Sequence, residues 1–149
     1  MIKNKFRGYN IKIKEWRYGS LVETTSYIRH MPKQHTKFWI VSSAFGNGGW
    51  FNVLQRINVD EESVGQRTGL KDKNGVEIYK GDIVKYFNSI ENGIGEIKSF
   101  FNTANLHIEW IKQNTTKPSI YTSLDYLGCS AELEVIGNTY ENPELLEQS

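Results

Sequence analysis

The stretch from Arg67 to Tyr86, RTGLKDKNGVEIYKGDIVKY, constrains this chain more than any other part of it. Asn74-Gly75 is a dipeptide preferred in two-residue hairpin turns, because both central residues there take positive φ and these two tolerate it best. The chain is expected to reverse at that point. Lys80-Gly81-Asp82 supplies a second turn signal. Around the two signals stand Ile78, Tyr79, Ile83, Val84, Tyr86 and Phe87, whose β-branched and aromatic side chains suit a pleated surface. The segment reads as a compact β unit in which Gly69, Asn74, Gly75, Gly81 and Asp82 are the turn residues.

The same grammar recurs on both sides. In IKIKEWRY, from Ile11, alternation along a strand sets Ile11, Ile13, Glu15 and Arg17 on one face and Lys12, Lys14, Trp16 and Tyr18 on the other. Residues 38–45 and 50–59 are strand candidates flanking the sequence GNGG, which makes a hairpin the economical reading. GEIKSFF from Gly95 and LHIEWI from Leu106 form another pair, and ELEVIGN from Glu132 adds one more, giving seven or eight short strands. Helical signals are few. SLDYLG at 123–128 has Ser123 as a possible N-cap and Gly128 beyond its end, and NPELLEQ at 142–148 begins with Asn142 as N-cap and Pro143 at the first helical position. The expected fold is mainly β, with short antiparallel strands and hairpins forming twisted sheets or a small barrel, and one or two short helical turns.

The chain of 149 residues suits a single domain over 1–149, and its composition, 38% hydrophobic with four Trp, eight Tyr and seven Phe, suffices for a packed core. A soft boundary is expected near residues 60–69, where the charge changes sign. Residues 1–59 carry ten basic and two acidic groups, and residues 60–149 eight basic and fifteen acidic. Such polarity suits contact with nucleic acid through the basic part, or opposite charges meeting within or between subunits. No apolar run is long enough for a bilayer-crossing helix, and the basic N-terminus lacks the apolar core of a secretion signal, so no membrane association and a cytoplasmic location are expected. The single cysteine, Cys129, excludes an intrachain disulfide and a multi-cysteine zinc site.

Three segments carry a resemblance to a known family. GQRTGLKDKNGVEIYKGDIVK at 65–85, GEIKSFF with LHIEW further on, and the closing LEVIGNTYENPELL at 133–146 are similar to the YopX family of phage and prophage proteins, and KFRGY at 5–9 looks like that family's opening motif. Residues 19–59 carry no family signature, and Arg67 stands where members often have an aromatic residue. The resemblance implies a small phage or prophage protein in the cytoplasm of a bacterial host, forming a homo-oligomer, and it transfers no catalytic residue.

Candidate chemistry is sparse. His30 and His35 are separated by Pro32, which disfavours a helix aligning them, and His107 is remote, so surface histidines are favoured over a metal site. Cys129 reads as a small buried hydrophobe rather than a nucleophile. The glycines of FGNGGW precede a strand pattern, not a helix whose N-terminus holds an anion. Asp60, Glu61 and Glu62 lack the spacing of a calcium loop. No cofactor is expected. The basic and aromatic N-terminal part is the strongest candidate, with Lys12, Lys14, Trp16, Tyr18 and Arg17 able to hold phosphates and stack bases, or to meet a protein partner. The function expected is a non-enzymatic accessory protein that self-associates and binds a host or phage partner, with nucleic-acid binding through these residues as the alternative.

Overall fold

The computed structural model describes residues 5–26, 35–45, 52–87, 92–100, 105–115, 118–124 and 133–147. Two compact units succeed one another along the chain, Met1–Gln66 and Arg67–Ser149. Both are built from antiparallel strands, and the protein is mainly β. Among the described residues the sheets stay open and no barrel closes.

The first unit is a meander of four strands, β1 (Phe6–Asn10), β2 (Glu15–Ser26), β3 (His35–Phe45) and β4 (Asn52–Val59), each paired antiparallel with the next. β2 is long enough to serve two partners. Its first half, Glu15 to Gly19, pairs with β1, and its second half, Ser20 to Ser26, pairs with β3. The meander curls until the end of β4 returns to β1. There the Asp60 amide donates to the Tyr9 carbonyl at 2.9 Å. The Val59 side chain packs on Gly8 so closely that a Cβ at position 8 would lie 2.7 Å from Val59 Cγ2. Val59 and Ile40 are the buried apolar residues described in this unit. A 3-10 turn at Glu61–Ser63 follows, capped by the Asp60 carboxylate, and its Ser63 hydroxyl accepts from the Tyr9 amide at 2.7 Å. β5 (Gly65–Lys71) then runs beside β1 through the pairs Arg7–Gly65 and Phe6–Gln66.

The chain enters the second unit within β5. The rest of β5 pairs with β6 (Glu77–Tyr79), and a five-stranded sheet follows in the order β10-β9-β8-β7-β11, made of β7 (Asp82–Phe87), β8 (Asn92–Ser99), β9 (Leu106–Asn114), β10 (Tyr121–Ser123) and β11 (Leu133–Asn138). Val84, Ile97, Ile108 and Leu133 project from the sheet onto Ile78 and Leu124 to form the core. Each fully buried aliphatic side chain of this kind contributes about 1.5–3 kcal/mol. The Trp110 ring covers the backbone of Gly93 and Gly95, its indole N–H donates to Thr122 Oγ1 at 2.8 Å, and its edge meets Tyr86. A side chain at position 95 has no room, since its Cβ would fall well inside contact with Ile108 Cγ2 and 2.8 Å from the Glu109 carbonyl.

Several local expectations need correction. The strand expected from Ile11 starts at Glu15, and residues 11–14 form a turn with Lys14 at φ 54°. At Asn74-Gly75 the chain does reverse, but only Gly75 has positive φ, 83°. The reason is Asp72: its Oδ1 accepts from the amides of Asn74 and Val76, its carbonyl from Gly75, and its own amide donates to Val76. These bonds select a three-residue loop with glycine in the left-handed position, instead of a two-residue turn. Gly69, with φ 88°, sits within β5 where its register with β6 shifts, so it forms a bulge rather than a turn. Gly81, φ 86°, and Asp82 occupy the reversal between β6 and β7, where Asp82 Oδ2 accepts from the Tyr79 amide at 2.8 Å. Pro143–Leu146 is a 3-10 turn, but Asn142 does not cap it, because its Oδ1 accepts instead from the Asn138 amide. Ser123 ends a strand, and residues 125–128, like the sequence GNGG at 46–49, lie outside the described residues.

Replacing Gly95 with Ala forces β9 away from β8. We expect a loss of about 1–3 kcal/mol in urea unfolding, the usual cost of overpacking, and an unchanged midpoint would contradict the packing described.

Candidate functional site

The β1–β2 hairpin carries the most exposed apolar residues among those described in the first unit. Ile11 is 62% exposed and Ile13 48%. Two isoleucines in water are unfavourable by hydrophobic transfer alone, and the turn holding them there is fixed by one buried side chain. Asn10 Oδ1 accepts from the amides of Lys12 and Ile13 at 2.9 and 3.0 Å, while its Nδ2 donates to the Asn58 carbonyl at 2.7 Å. Asparagine suits this position because its amide spans both sides: the carbonyl satisfies the turn's donors, and the NH2 ties the turn to β4. The hairpin tip is thereby held beside the end of β4.

Between the tip, the start of β3 and the end of β4 runs a groove of about 720 Å³. Its apolar surface comes from Ile11, Ile13, Phe38, Ile57 and Val59, and its cations are Lys12, Lys37 and Arg56, all three exposed. Neither these three nor the adjacent Lys14 forms an ion pair among the described residues. Asp60 and Glu61 also line the groove, and the Asp60 carboxylate caps the 3-10 turn. The volume lies within the range of small-ligand sites, about 300–1,000 Å³.

The five residues singled out in the sequence are divided by this geometry. Lys12 and Lys14 are on the turn, so strand alternation does not place them beside Trp16 and Tyr18. Trp16 is half-buried, with the Arg7 guanidinium 4.6 Å from its ring centre and Tyr9 meeting it edge-on at 5.5 Å. Tyr18 stands opposite Arg7 and is 42% exposed. Arg17 points to the other face, where it pairs with Glu15 at 2.7 Å. Lys12 thus belongs to the groove, and the aromatic pair does not. Asn10, Phe38, Arg56 and Ile57 went unremarked as site residues. Asn10 had one available signal, a turn-forming residue interrupting an otherwise strand-like run.

The second unit contains a polar cluster on the sheet face opposite the Ile97–Ile108 core pair. Glu96 stands across from Glu109, and Lys98 across from His107. Lys98 Nζ bridges both carboxylates, at 3.3 Å to Glu96 and 3.0 Å to Glu109. Burial raises the Glu96 carboxyl above its ordinary value despite Lys98. Burial also depresses His107, whose ring is stacked 4.0 Å from Phe100 with Tyr121 against its edge. His107 is 6% exposed, and its Nδ1 has no hydrogen-bond partner among the described residues. Two carboxylates and a histidine suggest acid–base chemistry, but both carboxylates are engaged by one lysine and aromatic rings enclose the imidazole. Arg67 hydrogen-bonds and ion-pairs with Glu77, and Lys71 also approaches that carboxylate. Burial opposes ionisation of Glu77, yet Arg67 and Lys71 outweigh it and hold the carboxyl below its usual value. Cys129 and His30 lie outside the described residues, and of His35 only the backbone is described. No group of three or more potential metal ligands occurs among the described residues.

A mainly β protein of two antiparallel units, with an apolar, cation-edged groove at a hairpin tip, is the class these features define. The chain belongs to the YopX protein family, whose match extends over residues 5–147. A crystal structure of protein EF1440 from Enterococcus faecalis is similar, at 25% identity over 98% of this chain and 99% of that one, with a TM-score of 0.45. No curated protein matches. No helix among the described residues is long and apolar enough to cross a membrane.

Asn10→Ala removes the acceptor for two amides and the tie to β4. Unfolding free energy is expected to fall by about 1–3 kcal/mol, with faster hydrogen exchange at the Lys12 and Ile13 amides, and unchanged exchange there would refute the role given to Asn10. His107 yields a pH dependence of definite sign. Its folded pKa lies below the unfolded value of about 6.5, so the unfolded chain binds the extra proton, and the contribution present above that pH is lost as pH falls towards the folded value. Glu96, shifted upward, acts in the opposite direction at lower pH. Denaturation midpoints followed from pH 7.5 to 5 should therefore fall more steeply for the native chain than for His107→Gln, and parallel curves would contradict the burial of a neutral imidazole.

Proposed function

We propose that the protein is a non-enzymatic binding protein of a phage or prophage, acting in the bacterial cytoplasm, which self-associates and holds a segment of a host or phage protein in the groove of its first unit. The observation that carries the reading is the hairpin tip itself. Asn10 holds two exposed isoleucines beside β4, over a groove lined by cations that have no ion pair among the described residues. Exposed apolar surface framed by charge is the usual composition of a protein contact. The polar cluster around Lys98 has the character of an ion-pair network that satisfies a sheet face, since each carboxylate already meets the same ammonium. Membership of the YopX family and the charge division between the two ends of the chain support the phage origin and the self-association.

Nucleic-acid binding is favoured by Lys12, Lys14, Lys37 and Arg56, which are exposed and without an ion pair among the described residues. Its stacking component is weakened, because Trp16 is engaged by Arg7 and Tyr9.

Affinity capture from prophage-induced cells, comparing the native chain with Ile13→Asp and with Lys12→Glu plus Lys14→Glu, separates these readings. A protein recovered with the native chain and lost with Ile13→Asp is the expected result. Recovery of nucleic acid, removed by salt and by the double lysine variant, would transfer the function to nucleic acid. Equal recoveries with all three forms would defeat both readings.

A further inference from the structure

Resting on the groove reading above, we infer that the occupant is an acidic peptide segment of a different protein, bearing aliphatic side chains between its carboxylates. The floor and walls select the aliphatic part. Ile11, Ile13, Ile57 and Val59 are aliphatic, and Phe38 is the one aromatic among the described residues that line the groove, so these residues offer successive flat bases no stacking platform. Leucine, isoleucine or valine side chains fill such a surface and bury the isoleucines that the free protein leaves in water.

The charges select the acidic part. Lys12 on the hairpin, Lys37 on β3 and Arg56 on β4 come from three separate segments, and the fold brings them to one groove. All three are exposed and without an ion pair among the described residues, whereas Arg17, Arg67, Lys71, Lys73 and Lys98 are each matched to a carboxylate. Of the two acids that line the groove, Asp60 has its Oδ1 turned to the Glu62 amide. Peptide carboxylates meeting Lys12, Lys37 and Arg56 therefore displace no existing pair. Arg56 adds a planar fork for bidentate pairing with one of them. Such rim charges set specificity and encounter rate, while the aliphatic contacts supply most of the affinity. Asp60 and Glu61, which also line the groove, repel a peptide carboxylate placed against them.

Selection from a displayed library of random heptapeptides against the full-length protein tests the assignment without presuming a sequence. Enriched peptides are expected to combine Asp or Glu with Leu, Ile or Val. A fluorescein-labelled copy of the most enriched peptide should bind the native chain by anisotropy and lose about tenfold in affinity to Ile13→Asp and to Lys37→Glu plus Arg56→Glu, with the variants' thermal unfolding confirming that they fold. Lys37→Arg should retain binding. Enrichment of basic or purely aromatic peptides, of none at all, or of peptides whose binding ignores these substitutions would overturn the proposal. If a cellular protein is captured through Ile13 while acidic peptides fail, the groove reading stands and the chemistry assigned to its occupant falls. Self-association abolished by Ile13→Asp, with no peptide bound, would give the groove to a second copy and would likewise overturn it.

Discussion

Tight reversals in a β protein leave backbone amides that no ladder partner can reach, and this chain satisfies them with buried Asn and Asp side chains. Asn10, Asp72, Asp82 and Asn138 are each less than 9% exposed, and each accepts from amides at or next to a chain reversal. An amide donor buried without a partner costs about 1–3 kcal/mol, so the reversals persist only where such an acceptor is in place. Asp72 extends the device over a long sequence separation: its second oxygen accepts from the Val135 amide, tying the β5–β6 reversal to β11. Burial opposes the charge on Asp72, but the amides of Val76, Val135 and Asn74 prevail and hold its carboxyl below the ordinary value. Structural order and acid sensitivity thus reside in the same carboxylate.

The site follows from this device. A hairpin tip of Ile-Lys-Ile-Lys would gain more by collapsing onto apolar surface than by standing in water. Asn10 prevents that collapse by engaging the amides of Lys12 and Ile13 and the carbonyl of Asn58 together. The groove is therefore formed before any partner arrives, which spares an occupant the entropy of ordering the tip. Close approach of β4 to β1 completes it, and Gly8 permits that approach by leaving space for Val59.

The second unit is organised differently. Its core uses one face of the sheet, and the other face carries charge arranged so that one lysine answers two glutamates. The Gly93 and Gly95 backbone, bare of side chains, is roofed by Trp110, which compensates the weak packing that strand glycines otherwise cause. The YopX match, over residues 5–147, covers both units.

What the sequence determined by itself was local. Alternating β-branched and aromatic residues punctuated by glycine and Asx specified antiparallel strands at β3, β4, β7, β8, β9 and β11, because those signals act over a few neighbouring residues. A strand as short as β10 is not legible, since three residues carry too little periodicity to be distinguished from a loop. The Asn74-Gly75 dipeptide does not reveal the turn type, because that is decided by the neighbouring Asp72, whose Oδ1 accepts from the amides of Asn74 and Val76. Of the candidate site, the sequence marked Lys12 and Lys14 as exposed basic residues, yet it joined them to Trp16 and Tyr18 by an alternation that Asn10 interrupts. Only the tertiary structure decided that Lys12, Lys37 and Arg56 share one groove. Their proximity arises from the curl that returns β4 to β1, and long-range strand geometry of that kind leaves no periodic trace in the residues that line it.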